Sequence, residues 1–228
     1  MSSGAPEERS RRPIKTVFKR ISLRAQHPKI AAQIASEFGL DPISSRVLAA
    51  RGFNALLFDY RGYGRSEGNL EDEQGLYADA DAAYEYVVRE RNAPTRAIVL
   101  YGQSLGTAAV ADLAARRECA AIILESGLSS GSDMASAALP WLPRSLHFLA
   151  RNRFDSAHKL SQVHCAVLVT HGEPDPTIPT EQGRALFAAA NEPKKLVIFP
   201  GADHNVFGSV GDKYLDMIAK FIGGVVRY

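Results

Sequence analysis

The chain of 228 residues is 46% hydrophobic, 8% aromatic and 23% charged, proportions that suit one large α/β domain and exclude disordered, collagen-like and disulfide-scaffold classes. Its formal net charge of +2 is uneven, because residues 1–24 hold 7 of the 27 Lys+Arg and 2 of the 25 Asp+Glu, leaving −3 on the rest; a folded part without a basic excess is not expected to bind nucleic acid. No membrane span is expected either, since the longest uncharged stretch, Ala97–Ala111, is interrupted by Gly102-Gln103-Ser104 and falls short of the roughly 20 apolar residues required.

In chain order, residues 1–24 set Arg9, Arg11, Arg12, Lys15, Lys19, Arg20 and Arg24 among Ser, Gly and Pro, and are expected to form a flexible tail. The segment lacks the apolar core of a signal peptide, and Glu7 and Glu8 are out of place in a transit peptide, so a cytoplasmic protein is expected. Residues 25–228 are expected to form one domain. Val17, Phe18, Ile21 and Leu23 predict a modest strand within Thr16–Ala25, whereas Pro28–Leu40 reads as helix.

From Asn54 onward, apolar runs alternate with amphipathic stretches. Strands are expected at Asn54–Asp59, Ala97–Tyr101, Ala120–Glu125, Ala166–His171 and Lys195–Phe199, with helices around Glu73–Arg89, Leu105–Arg116, Thr180–Ala190 and Gly211–Ile222. This alternation predicts a mostly parallel sheet with helices on both faces. The connection over 126–163 is too long for an ordinary link and carries Leu139-Pro140-Trp141-Leu142-Pro143 with Met134, Leu146, Phe148 and Leu149. It is expected to be a cap, its apolar residues serving either packing or a substrate pocket. Cys119 and Cys165 each open an apolar run, where a buried free thiol of a reducing compartment is expected.

The strongest chemical signal is Gly102-Gln103-Ser104-Leu105-Gly106, set between an apolar run and a helical stretch. Glycines at 102 and 106 allow a sharp strand–turn–helix bend that lifts the Ser104 hydroxyl clear of the sheet, in front of a helix N-terminus. A serine needs a base, and the base needs an acid to hold its tautomer. Asp175, in His171-Gly172-Glu173-Pro174-Asp175, follows one expected strand, and His204, in Gly201-Ala202-Asp203-His204-Asn205, follows another. Both lie beyond strand C-termini, where open α/β sheets keep their sites. Glu125 is an alternative acid and His171 an alternative base, although His171 fits better as a structural hydrogen-bonder. Asp203 reads as a loop residue, Asp59 and Arg61 as a buried pair that fixes their loop, and Tyr60 as a possible pocket wall. His27, His147, His158 and His164 have no assignable partners.

With Phe58-Asp59-Tyr60-Arg61-Gly62-Tyr63-Gly64-Arg65-Ser66 and the order Ser104…Asp175…His204, residues 47–222 resemble the α/β-hydrolase superfamily, in its branch of small serine hydrolases. The resemblance implies Ser104 as nucleophile, Asp175 as orienting acid, His204 as general base and the Leu105 N–H as one oxyanion donor. It also implies an ester- or thioester-cleaving enzyme acting on a small-molecule or acyl substrate, with no metal or organic cofactor. The branch takes its second oxyanion donor from a His-Gly segment after the third strand, where this chain reads Gln26-His27-Pro28-Lys29-Ile30, and Pro28 has no N–H to offer. Two early strands are therefore expected to be missing, with an open gap in the sheet. That departure keeps a non-catalytic or impaired binding protein as the alternative. The sequence leaves the oligomeric state open.

Overall fold

A computed structural model describes residues 18–21, 29–33, 51–64, 66–138 and 152–226. Seven strands form one sheet: β1 (Phe18–Ile21), β2 (Lys29–Gln33), β3 (Phe53–Phe58), β4 (Ile98–Gln103), β5 (Ala121–Glu125), β6 (Ala166–Gly172) and β7 (Lys194–Phe199), in the spatial order β1-β3-β2-β4-β5-β6-β7. β1 runs antiparallel to β3, and every other pairing is parallel. The expectation of a gap is corrected here. Lys29–Gln33 is a strand, not part of a helix, and it lies between β3 and β4 with Ala31 opposite both Ala55 and Val99. Its insertion satisfies backbone donors and acceptors that an open internal edge would have stranded.

Alternation along the central strands divides the core. Ile98, Leu100, Ile122, Leu124, Val167 and Val169 face one side, where they pack on α1 (Glu73–Glu85), α2 (Gly106–Arg116), α4 (Ser156–Leu160) and α5 (Thr180–Ala189). Val99, Ile123 and Leu168 face the other side, against Val206 of α6 (Val206–Val210) and Tyr214, Leu215, Ile218 and Ile222 of α7 (Asp212–Val225). Positions 214, 215, 218 and 222 repeat at helical spacing, and burying each such side chain stabilises by about 2 kcal/mol. Both sheet faces therefore carry helices.

Asp72 caps α1 by accepting the Gly75 N–H at 3.0 Å, and the helix runs on as a π-helical turn over Tyr86–Glu90. The excursion after β5 starts with α3 (Gly131–Ala138) and returns at residue 152; its apolar segment over 139–149 lies outside the described residues. The return is tied to the body: the Glu73 carboxylate accepts the Phe154 N–H at 2.6 Å, and Lys159 Nζ sits 2.9 Å from Asp112 and 3.7 Å over the Tyr77 ring. Among the described residues no helix is long and apolar enough to cross a membrane.

Candidate active site

Ser104 stands between the end of β4 and the start of α2 with φ +54°, a left-handed conformation that L residues rarely hold without surrounding constraint. The constraint is visible. Ser104 N–H donates to Glu125 O at 2.9 Å, and Ser104 O accepts from Thr107 N–H at 3.0 Å and Thr107 Oγ1 at 2.6 Å. A Cβ on Gly102 would lie 2.4 Å from Gly106 O, so the bend closes only with glycine there. Leu105 is the N-cap residue of α2, at the helix end where N–H groups lack intrahelical acceptors.

Asp175 lies just past β6 in a turn of its own making. Its Oδ1 accepts the Thr177 and Ile178 N–H groups at 2.8 and 2.9 Å, and Thr180 Oγ1 closes the loop on Gly172 O and Glu173 O. Its Oδ2 meets His204 Nδ1 at 2.8 Å and His171 Nε2 at 3.2 Å. Burial opposes the charge, but the bonds from the two imidazoles and the two N–H groups outweigh it and hold the carboxylate well below its usual range.

His204 hangs from the loop after β7 between two residues that pin it. Asp203 Oδ1 accepts from Asn205 N–H and Ser209 Oγ, and Asn205 caps α6 through Gly208 N–H. Its neighbouring loop presses closely on β6: a Cβ on Gly172 would meet Asp203 O at 2.2 Å and Ala202 O at 2.3 Å. Because Nδ1 faces a carboxylate, it carries the proton, and Nε2 is left as an acceptor. Nε2 is buried and has no hydrogen-bond partner. No hydrogen bond joins it to the Ser104 hydroxyl in this structure.

Ser104, Asp175 and His204 thus follow β4, β6 and β7 at the C-terminal edge of the sheet, the Asp175 carboxylate and the His204 imidazole directly bonded. His171 is a fully buried hydrogen-bonder, its Nε2 also 2.9 Å from Ile178 O, and a Cβ on Gly183 would come within 2.5 Å of its Nδ1. Glu125, fully buried, receives the Tyr101 hydroxyl, the Tyr214 hydroxyl at 3.0 Å and the Phe207 N–H at 3.2 Å, and none of these bonds involves the His204 ring. Burial pushes its carboxyl up to about 7 against the downward pull of the Phe207 N–H, the Tyr214 hydroxyl, the Val206 N–H and the charge of His204. Sequence reasoning placed Glu125 correctly at a strand end but missed that its carboxylate grips the first turn of α6, just beyond His204.

One loop expectation is corrected. Arg61 pairs with Asp79 of α1, not with Asp59: its guanidinium is 2.8 Å from Asp79 Oδ1, and its own N–H donates to Asp79 Oδ2 at 2.8 Å. Tyr60 is part of the core, 1% exposed with its ring edge-on to Phe58 at 5.2 Å. The oxyanion segment is also misplaced in the sequence reading. The strand beside β4 begins at Lys29, so the loop that follows it starts after Gln33, where residues 34–50 lie outside the described ones. His27 and His147 lie outside them as well. Among the described residues no three His, Cys, Asp or Glu side chains gather as a metal site.

Residues 44–159 match the family described as serine aminopeptidase, S33. An uncharacterised protein of Mycobacterium tuberculosis is 39% identical over 172 residues, covering 75% of this chain and 60% of its own length. Human alpha/beta hydrolase domain-containing protein 17C is 37% identical over 169 residues, 74% of this chain and 49% of its own. The chain therefore spans about half to three fifths of the curated relatives it matches. Among solved structures, a monoacylglycerol lipase of Paleococcus ferrophilus superposes with a TM-score of 0.69 at 15% identity, over 92% of this chain and 98% of its own. An esterase of Exiguobacterium antarcticum gives 0.67 at 13% identity, over 92% and 96%. At such identities the likeness is one of fold.

Proposed function

The chain belongs to the serine aminopeptidase S33 family of α/β-hydrolases, and from that membership we propose that it is a serine hydrolase cleaving a carboxylic ester or thioester through an acyl-enzyme on Ser104. The observation that carries the reading is the 2.8 Å bond from Asp175 to His204 Nδ1, which leaves Nε2 buried and unpartnered on the same sheet edge as the Ser104 turn. In this reading Nε2 takes the Ser104 proton as Oγ attacks the acyl carbonyl. The oxygen that becomes negative is met by the Leu105 N–H. Collapse of the tetrahedral intermediate expels the alcohol or thiol with the proton from His204. Water, deprotonated by the same nitrogen, then releases the acid. The lipase and esterase among the structural neighbours support an acyl substrate by their names.

The test is labelling of the folded protein with a fluorophosphonate, which needs an activated serine and no knowledge of the substrate. Labelling that disappears in Ser104→Ala is the expected result, followed by turnover on a panel of p-nitrophenyl esters and acyl thioesters. A folded, monodisperse chain that does not label would overturn the catalytic reading and leave a binding protein.

A further inference from the structure

Cys119 and Cys165 meet at the opposite edge of the sheet from Ser104. Cys119 lies just ahead of β5 and Cys165 just ahead of β6, and the parallel register that sets Ala121 opposite Ala166 brings the two side by side. Both thiols are free and half-buried, and their sulfurs are 3.2 Å apart. The two line an open cavity of about 430 Å³ whose rim includes Arg96, Arg116, Arg117 and His164, with Glu118 the acidic side chain among its walls. Arg116 and Arg117 are held there by ion pairs to Asp81, Asp112 and Glu85. Either thiol can donate to the other; their mutual hydrogen bond lowers the Cys165 thiol and, with burial, raises that of Cys119.

We propose that Cys119 and Cys165 form a redox-active dithiol that is oxidised by exchange with a small anionic disulfide entering this cavity. The Cys165 thiolate attacks one sulfur of the incoming disulfide and expels the first small thiolate. Cys119, as thiolate, then attacks the Cys165 sulfur of the mixed disulfide and expels the second. One Cys119–Cys165 bond forms, one disulfide bond of the reagent breaks, and the two thiol protons end on the two small thiols. The oxidised form ties together the two ends of residues 119–165, the stretch that contains β5 and the whole excursion over 126–163. A transient pair of this kind is the usual form of disulfide chemistry outside oxidising compartments.

The experiment treats the native chain with oxidised glutathione and follows intact mass and peptide maps. The expected product has lost two hydrogens and shows a Cys119–Cys165 cross-linked peptide. In Cys119→Ser the reaction stops at one glutathionyl group on Cys165, and Cys165→Ser reacts about ten-fold more slowly. Cystamine, a cationic disulfide, is expected to oxidise the native pair about ten-fold more slowly than glutathione disulfide at equal concentration. Three results overturn the proposal: glutathionylation of the wild type without ring closure, thiols that react only after denaturation, or equal rates with the two reagents.

Discussion

Replacing Glu125 by Gln is expected to change how stability depends on pH. The carboxyl is fully buried under the elbow, and its folded value of about 7 lies above the ordinary 4.5 of a glutamate. The folded state therefore holds a proton that the unfolded chain releases, so this group's contribution is complete below pH 4.5 and is lost as pH rises through 7. By pH 8 the loss amounts to about 3 kcal/mol, about 2 of which fall between pH 5.5 and 8. Gln keeps the shape and an acceptor for the Phe207 N–H, while the tyrosine hydroxyls can rotate to accept its amide. Urea unfolding of both chains from pH 5.5 to 8 gives the difference curve: the wild type should lose about 2 kcal/mol relative to Glu125→Gln across that range. Parallel curves would refute the argument, since Gln removes only the titration.

Other perturbations test the site from different sides. Gly172→Ala puts a methyl group 2.2–2.3 Å from the Ala202 and Asp203 carbonyls, and moving the His204 loop by about 1 Å is expected to slow fluorophosphonate labelling on the order of 10²-fold with the fold retained. Asp175→Asn should slow labelling on the order of 10³–10⁴-fold. Because the Asp175 carboxylate is held low when folded, its stabilisation is present above the ordinary carboxyl range and lost as pH falls toward the folded value; unfolding between pH 2 and 5 should be less acid-sensitive in Asp175→Asn than in the wild type. Arg61→Ala leaves the buried Asp79 charge without its partner and should cost about 3 kcal/mol in urea unfolding, whereas an exposed pair such as Arg89–Glu85 should cost under about 1 kcal/mol when broken.

Strands β3 to β7 are legible because each is a short apolar run bounded by turn residues, and their alternating positions are the ones that split the core between its two faces. β2 is not. Lys-Ile-Ala-Ala-Gln carries two alanines, good helix formers, and becomes a strand only because β3 and β4 offer it pairing on both sides. The same long-range logic hides Asp79 as the partner of Arg61. Asp59 is two residues away in sequence, but Asp79 arrives on α1, 18 positions later. The order Ser104, Asp175, His204 was readable from motifs after strand ends, whereas the second imidazole on Asp175 was not. His171 points back across its own loop, a geometry fixed by the Asp175 turn and by the space at Gly183.

That turn suggests how to catch a ligand in place. Of the four donors on Asp175, three come from within residues 171–178, and only the fourth comes from His204. The acid loop is thus built locally, before the chain has reached β7. His204→Ala would remove one imidazole and keep the three local contacts on Asp175, whereas Asp175→Asn disturbs four contacts together. For soaking a slow acyl substrate into crystals, the imidazole deletion is the variant to grow.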